Sequence, residues 1–367
     1  MKLCVGGWTR YSAIVTCAAF FATLAADFSE LTAADKTAVW TDPQDPTLPL
    51  EFKIQGEYTG RIEGGGVLGC QVIALGPGTF QAVLLPGGLP GDGWDGQNKI
   101  LMDGQLEDCQ AMFQPADGER KYLAANPQEF SATRQFPPTG HKPFTATACG
   151  EAMKGKTDDG QPFVLKKVLR KSPTEGATAP DGARVLFDGS NADQWSGGRL
   201  DETTRLLNTD GRDIRSQQKF NNFVIHFEFL LPYRPEARGQ GRGNSGFYLV
   251  DHYEVQILDS FGLDGVNNEC GGIYTKADPK VNMCFPPLIW QTYDAEFTNA
   301  IQDADGNQVA NARLTLRHNG VIIHENLEIH GPTGGHRNEP EGTPGVLKLQ
   351  GHGNPLQFRN VWIVEKE

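Results

Sequence analysis

Hydrophobic and polar positions alternate along the second half of the chain, which is typical of β-strands that bury one face. In residues 223–229 every odd position is Phe or Ile and would face a core, whereas His226 and Glu228 would share the opposite face. A similar run over residues 314–323 is interrupted by an Asn-Gly pair, the signature of a tight hairpin turn. Several such strands, each with one polar face, predict two packed antiparallel sheets in a sandwich or jelly roll.

The first half of the chain has a different pattern. Residues 52–170 contain short apolar stretches separated by Gly-rich turns, so we expect residues 27–170 to form a smaller β-rich domain of unknown role. Residues 171–183 lack periodicity and consist mainly of residues common in linkers. The sequence therefore predicts an all-β protein in which a linker at 171–183 precedes a sandwich over residues 184–367.

The N-terminus resembles a targeting segment. Lys2 and Arg10 precede an apolar run that ends in small residues, which predicts a secretory signal peptide over residues 1–26, cleaved after Ala25 or Ala26. The apolar run is too short for a membrane span and has no positive stop sequence after it. We therefore expect a bacterial protein that is secreted or periplasmic, with no transmembrane segment in the mature chain.

Charge and cysteine content narrow the classes of partner. The chain has 33 basic and 45 acidic residues, a net charge of −12 with no basic stripe, which argues against nucleic acid as a partner. Cys270 and Cys284 bracket a loop that contains Gly and Pro, and an oxidising compartment would allow them to pair. The sequence does not determine the oligomeric state.

Two carboxyl groups lie five positions apart near the end of an alternating segment over residues 253–257. A regular strand would place Glu254 and Asp259 on opposite faces, but one β-bulge would bring both to the same face. Two carboxyl groups on one concave sheet could act as acid and base on a glycoside. The alternative is a solvent-facing strand with scattered polar residues.

Three further patterns have both a chemical and a structural interpretation. Residues 303–307 resemble the start of a calcium-binding loop but lack its later Gly and Glu, so we expect a hairpin loop. Trp94 lies in a Gly-rich loop, where it could stack on a sugar or anchor the loop. Four His residues recur every six positions, but an intervening Gly and Pro break any single strand: His318, His324, His330 and His336.

Five groups of short motifs follow one another in residues 184–367. In chain order they are LFDG at 186–189 with Trp195, NSGF at 244–247, YEVQILD at 253–259, GIY at 272–274, and LQGHG at 349–353 with FRNVW at 358–362. As a set they resemble the bacterial 3-keto-disaccharide hydrolase domain family. The chain departs from that family at Gly351, where an Asp usually precedes the His, and in a long loop over residues 234–242.

The resemblance implies a concanavalin- or laminin-G-like jelly roll that acts on glycosides whose glucose C3 is oxidised to a ketone. The ketone acidifies the C2 proton, so a base can remove it, and the aglycone can then leave C1 by β-elimination before water adds. Direct hydrolysis through paired carboxylates would give the same products. Two alternatives remain: a glycan-binding sandwich without catalysis, and an endo-glucanase. The endo-glucanase alternative is disfavoured, because this chain has Gln256 where such an enzyme would have an acidic residue.

Under the enzyme hypothesis three residues are catalytic. Glu254 is the general base or acid, or the ligand of a divalent cation that polarises the ketone. His352 is its proton-transfer partner, because imidazole titrates near neutrality. Asp259 is a supporting carboxylate or, alternatively, a purely structural residue. Arg359 could bind the sugar or instead tie down the last strand. Six residues are expected to contact the carbohydrate substrate by hydrogen bonds or stacking: Gln256, Asn244, Tyr274, Trp290, Arg359 and Glu228.

Overall fold

The computed structural model describes residues 38–366, so the signal peptide predicted for residues 1–26 lies outside the described residues. The described chain is built almost entirely of strands, with one short α-helix, α1 (Leu50–Ile54), and one 3₁₀ turn at Gly239–Gly241. None of the helices in this part of the chain has the length and apolar character needed to cross a membrane. The predicted all-β class is confirmed.

The first β-rich region contains ten strands. In chain order they are β1 (Gly56–Ile62), β2 (Val67–Gly76), β3 (Thr79–Pro86), β4 (Ile100–Glu107), β5 (Gln110–Pro115), β6 (Lys121–Tyr122), β7 (Phe130–Ser131), β8 (Thr145–Cys149), β9 (Ala152–Lys156) and β10 (Pro162–Val168). Eight of them close into an antiparallel barrel in the order β1-β10-β9-β8-β5-β4-β3-β2, and β6 pairs with β7. Apolar side chains such as Tyr58, Phe113 and Phe163 are buried in its core.

The remaining strands form a two-sheet sandwich. They are β11 (Arg184–Phe187), β12 (Trp195–Ser196), β13 (Arg199–Leu200), β14 (Leu207–Asn208), β15 (Ile214–Phe220), β16 (Asn222–Leu230), β17 (Ser245–Leu249), β18 (Tyr253–Ile257), β19 (Trp290–Thr298), β20 (Ile301–Gln302), β21 (Gln308–Ala310), β22 (Ala312–His318), β23 (Val321–Ile329), β24 (Gly345–Leu349) and β25 (Gln357–Lys366). The larger sheet runs β13-β14-β25-β16-β19-β22-β23, with β11 added beside β25. The smaller sheet runs β12-β15-β24-β17-β18, and β20 and β21 form a separate hairpin.

The core of the sandwich follows the predicted alternation. Phe223 and Phe227 on β16 are buried with the other odd positions of that strand, and Val255 and Ile257 on β18 belong to the same apolar cluster. Because side chains alternate along a strand, this packing turns Glu254 and Gln256 away from the core. The smaller sheet therefore carries its polar groups on its outer face.

The barrel packs directly against the sandwich. Arg242, in the loop between β16 and β17, donates a hydrogen bond to the Ala74 carbonyl of β2 at 3.1 Å, and Lys99 forms an ion pair with Asp264 at 2.8 Å. Apolar residues from both regions belong to one continuous buried cluster, including Leu75 of the barrel. These contacts hold the barrel against the loops that follow β16 and β18.

Residues 172–177, within the predicted linker, lie across the outer face of the larger sheet, and we call this segment the strap. Thr174 donates a hydrogen bond to Asp294 at 2.7 Å, and the Gly176 amide donates one to Glu228 at 2.6 Å. The face that the alternation of β16 predicted to be polar is therefore polar but covered, and His226 is fully buried together with Glu228.

The cysteines within residues 38–366 form no disulfide. All five cysteines within residues 38–366 are free thiols, and Cys270 and Cys284, predicted to be able to pair, are both buried. Their side chains are close enough to hydrogen-bond, but each thiol also has an oxygen partner. Cys270 contacts the Tyr293 hydroxyl at 3.3 Å, and Cys284 contacts the Leu258 carbonyl at 3.6 Å. The structure thus contains two free thiols where the sequence allowed a disulfide.

Candidate active site

A polar pocket of about 230 Å³ opens on the outer face of the smaller sheet. Five of the nine residues predicted for the site line it, and they come from strands and loops that are distant in sequence. The lining residues are Gln240, Asn244, Tyr248, Glu254, Gln256, Tyr274, Gly334, Gly335, Gln350 and His352. The predicted base and its predicted proton-transfer partner therefore share one pocket.

The β17–β18 hairpin positions the carboxylate of Glu254. Its antiparallel register places Tyr248 opposite Glu254, and cross-strand neighbours on one face lie close enough to interact. The Tyr248 hydroxyl donates a hydrogen bond to Glu254 Oε2 at 2.8 Å. A Cβ on Gly246 would lie only 2.2 Å from Glu254 Oε1. The glycine therefore leaves the space that the carboxylate occupies.

Burial makes Glu254 a much weaker acid than an ordinary glutamate. Only 3% of the residue is exposed, and desolvation disfavours the charged form. The hydrogen bond from Tyr248 and the nearby charge of Lys348 act in the opposite direction, and the net pKa of Glu254 is about 7. A carboxyl group with this pKa can accept or release a proton near neutral pH, as a general base or acid requires.

Tyr248 connects Glu254 to the rest of the pocket wall. Its hydroxyl lies 2.9 Å from the Gly334 carbonyl and accepts a hydrogen bond from Gln350 at 3.3 Å. The Lys348 ammonium lies 3.6 Å from the centre of the Tyr248 ring. Burial and the adjacent carboxylate raise the pKa of Tyr248, so this hydroxyl keeps its proton and acts as a donor. Sequence analysis missed Tyr248, although the register of the hairpin could have indicated it.

Three side-chain amides form a second cluster in the pocket. Gln240 Oε1 accepts hydrogen bonds from Asn244 Nδ2 and from Gln256 Nε2, each at 3.1 Å. Asn244 Oδ1 is buried without a hydrogen-bond partner, so it is available to a hydroxyl group of a bound ligand. Gln240 was not predicted, because it lies in the long loop between β16 and β17, which has no periodic pattern.

His352 lies at the exposed rim of the pocket. Asn354 donates a hydrogen bond to the His352 carbonyl at 3.1 Å and accepts one from the Gly243 amide at 3.1 Å, so the His352 segment is tied to the loop before β17. Gly351, where the resembled family usually has Asp, packs against backbone: a Cβ there would lie 2.1 Å from the Arg212 nitrogen. A side chain at residue 351 would therefore clash in this chain.

Asp259 does not share the pocket with Glu254. Strand β18 ends at Ile257 without the bulge that would have turned Asp259 to the same face. Instead Asp259 is buried and forms a 2.6 Å ion pair with Arg242. This contact stabilises the loop that precedes β17, so the position of Asp259 fits a supporting structural role.

The other three predicted residues lie on the larger sheet. Arg359 forms a 2.6 Å ion pair with Glu228, and its guanidinium lies 3.9 Å from the centre of the Trp290 ring. Arg359 also pairs with Glu175 of the strap at 2.9 Å. These contacts match the alternative in which Arg359 ties down the last strand. None of the three residues lines the pocket that contains Glu254.

Glu228 has the opposite electrostatic character to Glu254. Burial alone would raise its pKa, but hydrogen bonds from His226, Asn360, the Gly176 amide and Arg359 together outweigh that effect. The pKa of Glu228 is lowered to about 2. A carboxylate with this pKa remains charged at any ordinary pH, so it fits a structural role.

The remaining candidate motifs have structural explanations. Trp94 donates a hydrogen bond to the Asn98 carbonyl at 2.9 Å and anchors its loop, and Asp303 accepts one from the Asn307 amide at 2.8 Å within the β20–β21 hairpin loop. His324 lies 2.7 Å from the Gly271 carbonyl. Within residues 38–366, no three His, Cys, Asp or Glu side chains are grouped closely enough to hold a metal ion.

Comparison with known proteins places the similarity in the sandwich. A sequence profile of 3-keto-alpha-glucoside-1,2-lyase-like domains matches residues 182–364. A candidate glycosyl hydrolase from Parabacteroides distasonis is 33% identical over 52% of this chain and 86% of its own, with a TM-score of 0.48. A second one from the same bacterium is 19% identical over 55% and 99% of the two chains, with a TM-score of 0.37. No curated protein matches the sequence.

Proposed function

This chain belongs, through residues 182–364, to the family of 3-keto-alpha-glucoside-1,2-lyase-like domains, and on that premise we propose that it cleaves 3-keto-glycosides at C1. The family supports a glycoside-cleaving enzyme in general, and the keto substrate is the specific part of the proposal. The observation that carries it is Glu254, a buried carboxyl group with a pKa of about 7 in a polar pocket. Elimination next to a ketone needs a base of this kind.

The proposed reaction begins at C2 of the oxidised glucose. Glu254 removes the C2 proton, and the electron pair of that C–H bond moves into an enediolate on C2, C3 and the C3 oxygen. The enediolate then expels the aglycone from C1, forming a C1=C2 double bond, and the leaving oxygen takes a proton from a general acid. Addition of water across C1=C2 gives 3-keto-glucose, so the net reaction is a hydrolysis.

The pocket residues suggest which side chain performs each step. His352, at the exposed rim, is the group we assign to protonate the leaving oxygen, because a histidine side chain can act as a general acid. Asn244, Gln256 and Tyr274 offer polar groups to the sugar. In this proposal Tyr248 orients Glu254 and does not touch the reacting atoms. A divalent cation that polarises the ketone would have Glu254 and His352 as its available ligands in this pocket.

An assay with paired substrates tests the proposal. Purified protein is mixed with p-nitrophenyl 3-keto-α-D-glucopyranoside and, separately, with the unoxidised glucoside, each with and without EDTA. We expect nitrophenol release from the keto substrate alone, and a loss of activity with EDTA would indicate a metal. Equal cleavage of the unoxidised substrate would indicate an ordinary glycosidase, and binding without release from either would indicate a glycan-binding protein.

The same reaction in D₂O distinguishes elimination from direct hydrolysis. Elimination followed by hydration places a solvent deuteron on C2 of the sugar product, whereas direct hydrolysis retains the original C2 proton. Free 3-keto-glucose incubated in parallel measures spontaneous exchange. Deuterium at C2 no faster than in that control would contradict elimination.

The cellular location is part of the same proposal. The signal peptide predicted for residues 1–26 favours a secreted or periplasmic enzyme. N-terminal sequencing of the protein purified from its native source tests this, with a mature start near residue 26 or 27 as the expected result. An intact Met1 would contradict it.

A further inference from the structure

We propose that the N-terminal barrel shapes the substrate pocket through Gln240, a positioning residue that holds the amides of Asn244 and Gln256 so that the Asn244 oxygen is available to a sugar hydroxyl. The inference rests on the proposed function and adds to it a role for the barrel. Gln240 lies in the loop between β16 and β17, which is long compared with the family that the sequence resembles.

Gln240 holds the NH₂ groups of the two other amides, and its backbone carbonyl also accepts from Asn244 Nδ2 at 3.0 Å. Its single Oε1 accepts from the NH₂ groups of both Asn244 and Gln256, and its own Nε2 donates to the Asn268 carbonyl at 2.7 Å. Because the NH₂ group of Asn244 is engaged, its Oδ1 is the end left over, and that oxygen is buried without a partner. A buried acceptor of this kind favours a ligand that brings a hydroxyl donor.

The barrel holds the loop on both sides of Gln240. Two residues before it, Arg238 donates to the Leu75 carbonyl at 2.6 Å, and two residues after it, Arg242 donates to the Ala74 carbonyl at 3.1 Å. Both carbonyls belong to the C-terminal end of β2. Gln240 therefore lies between two anchors on the barrel, and these anchors reduce the freedom that a long loop would otherwise have.

Glu254 does not depend on these anchors. The β17–β18 pairing and the Tyr248 hydroxyl hold its carboxylate. Weakening the Gln240 contacts should therefore raise KM while kcat changes little, because binding groups move and the base does not. A merely structural effect on the fold would instead lower kcat and thermal stability together.

The first test compares two substitutions at one position in the full-length protein. Gln240→Leu keeps the approximate size but removes the acceptor, and we expect KM for p-nitrophenyl 3-keto-α-D-glucopyranoside to rise about tenfold, with kcat within about threefold. Gln240→Glu keeps the acceptor oxygen but loses the donor to the Asn268 carbonyl, so KM should fall between those of Gln240→Leu and the wild-type protein. Gln105→Leu, at an exposed position on β4, is the matched control. A wild-type KM for Gln240→Leu would overturn the inference.

The second test asks whether the barrel acts through Gln240. Arg238→Met keeps the aliphatic stem but removes the donors to the barrel, and we expect a smaller rise in KM, with Arg61→Met at an exposed barrel position as control. In a double-mutant cycle, Arg238→Met should add little once Gln240 is Leu. Effects that simply multiply would show that the Arg238 contact does not act through Gln240.

Binding separates failure of this inference from failure of the proposed function. The dissociation constant of methyl 3-keto-α-D-glucopyranoside is measured by calorimetry for the Glu254→Gln protein with and without Gln240→Leu. Weaker binding after Gln240→Leu supports the inference even if the wild-type protein shows no turnover, which would overturn the proposed function alone. Equal binding with and without Gln240→Leu overturns the inference, and no binding by either protein overturns both.

Discussion

Two buried glutamates on the two sheets of the sandwich show how one residue type acquires opposite properties. Glu254 on β18 is 3% exposed and Glu228 on β16 is fully buried, so both pay the desolvation that raises a carboxyl pKa. The pKa of Glu228 is nevertheless lowered to about 2, whereas that of Glu254 is about 7.

The difference comes from the neighbours that the fold supplies. Glu228 receives hydrogen bonds from Arg359, Asn360 and the strap amide of Gly176, and these stabilise its charge. Glu254 receives one from Tyr248 and faces an open pocket. A buried carboxyl group with several charged or amide donors stays ionised and fits a structural role. A buried carboxyl group with few donors can instead exchange a proton near neutral pH.

The largest effect is expected from filling the space beside Glu254. In Gly246→Ala the new Cβ would lie 2.2 Å from Glu254 Oε1, so the carboxylate must move, and displacement of a reacting group by about 1 Å can cost roughly 100-fold in rate. We expect kcat for the keto substrate to fall by about that factor. Gly241→Ala, in open space, is the control. Unchanged kcat in Gly246→Ala would show that the position of Glu254 is irrelevant to catalysis.

Removal of each charge should change stability in opposite directions. The lowered pKa of Glu228 contributes on the order of 3 kcal/mol above pH 4.5, lost as pH falls through about 2. The raised pKa of Glu254 costs a similar amount above pH 7, and the cost disappears as pH falls below about 4.5. At pH 8, thermal unfolding should show Glu228→Gln destabilised and Glu254→Gln stabilised.

The pH dependence of that difference provides the control. At pH 3 the stabilisation by Glu254→Gln should vanish, because the wild-type carboxyl is then protonated in both the folded and the unfolded state. Shifts of the same sign for both variants at pH 8 would contradict the contrast between the two glutamates.

A smaller effect is expected from removing the Tyr248 hydroxyl, which donates a hydrogen bond to Glu254. The Tyr248 hydrogen bond lowers the pKa of Glu254, so Tyr248→Phe should raise it further. Because the base acts as a carboxylate, kcat/KM should fall below about pH 7 in the wild-type protein. In Tyr248→Phe the midpoint of that fall should move to higher pH. A pH profile of kcat/KM that does not move would exclude Glu254 as the titrating base.

The sequence predicted the strands around the site better than the contacts that complete it. The alternation of β16 and β18 correctly placed Phe227 and Val255 in the core, and Glu254 and Gln256 on the opposite face. It could not show that His226 and Glu228 are covered, because the strap has no periodicity and its contacts are made by single polar groups.

Tertiary contacts account for the residues that were missed or displaced. Tyr248 was not singled out in the sequence, although its register opposite Glu254 follows from a short hairpin. Gln240 enters the pocket because the barrel holds its loop, and no local pattern encodes that. Asp259 does not lie on the predicted face, because it forms a buried ion pair with Arg242, seventeen residues earlier.

The most direct test of the central claim is the turnover of p-nitrophenyl 3-keto-α-D-glucopyranoside at pH 8 by the wild-type, Glu254→Gln and Glu228→Gln proteins, each shown to be folded at the assay temperature. General-base catalysis contributes about 10²–10⁴-fold, so Glu254→Gln should lose at least about 100-fold in kcat, whereas Glu228→Gln should retain kcat within about threefold. Full turnover by Glu254→Gln, or an equal loss in both variants, would contradict the assignment of Glu254 as the base.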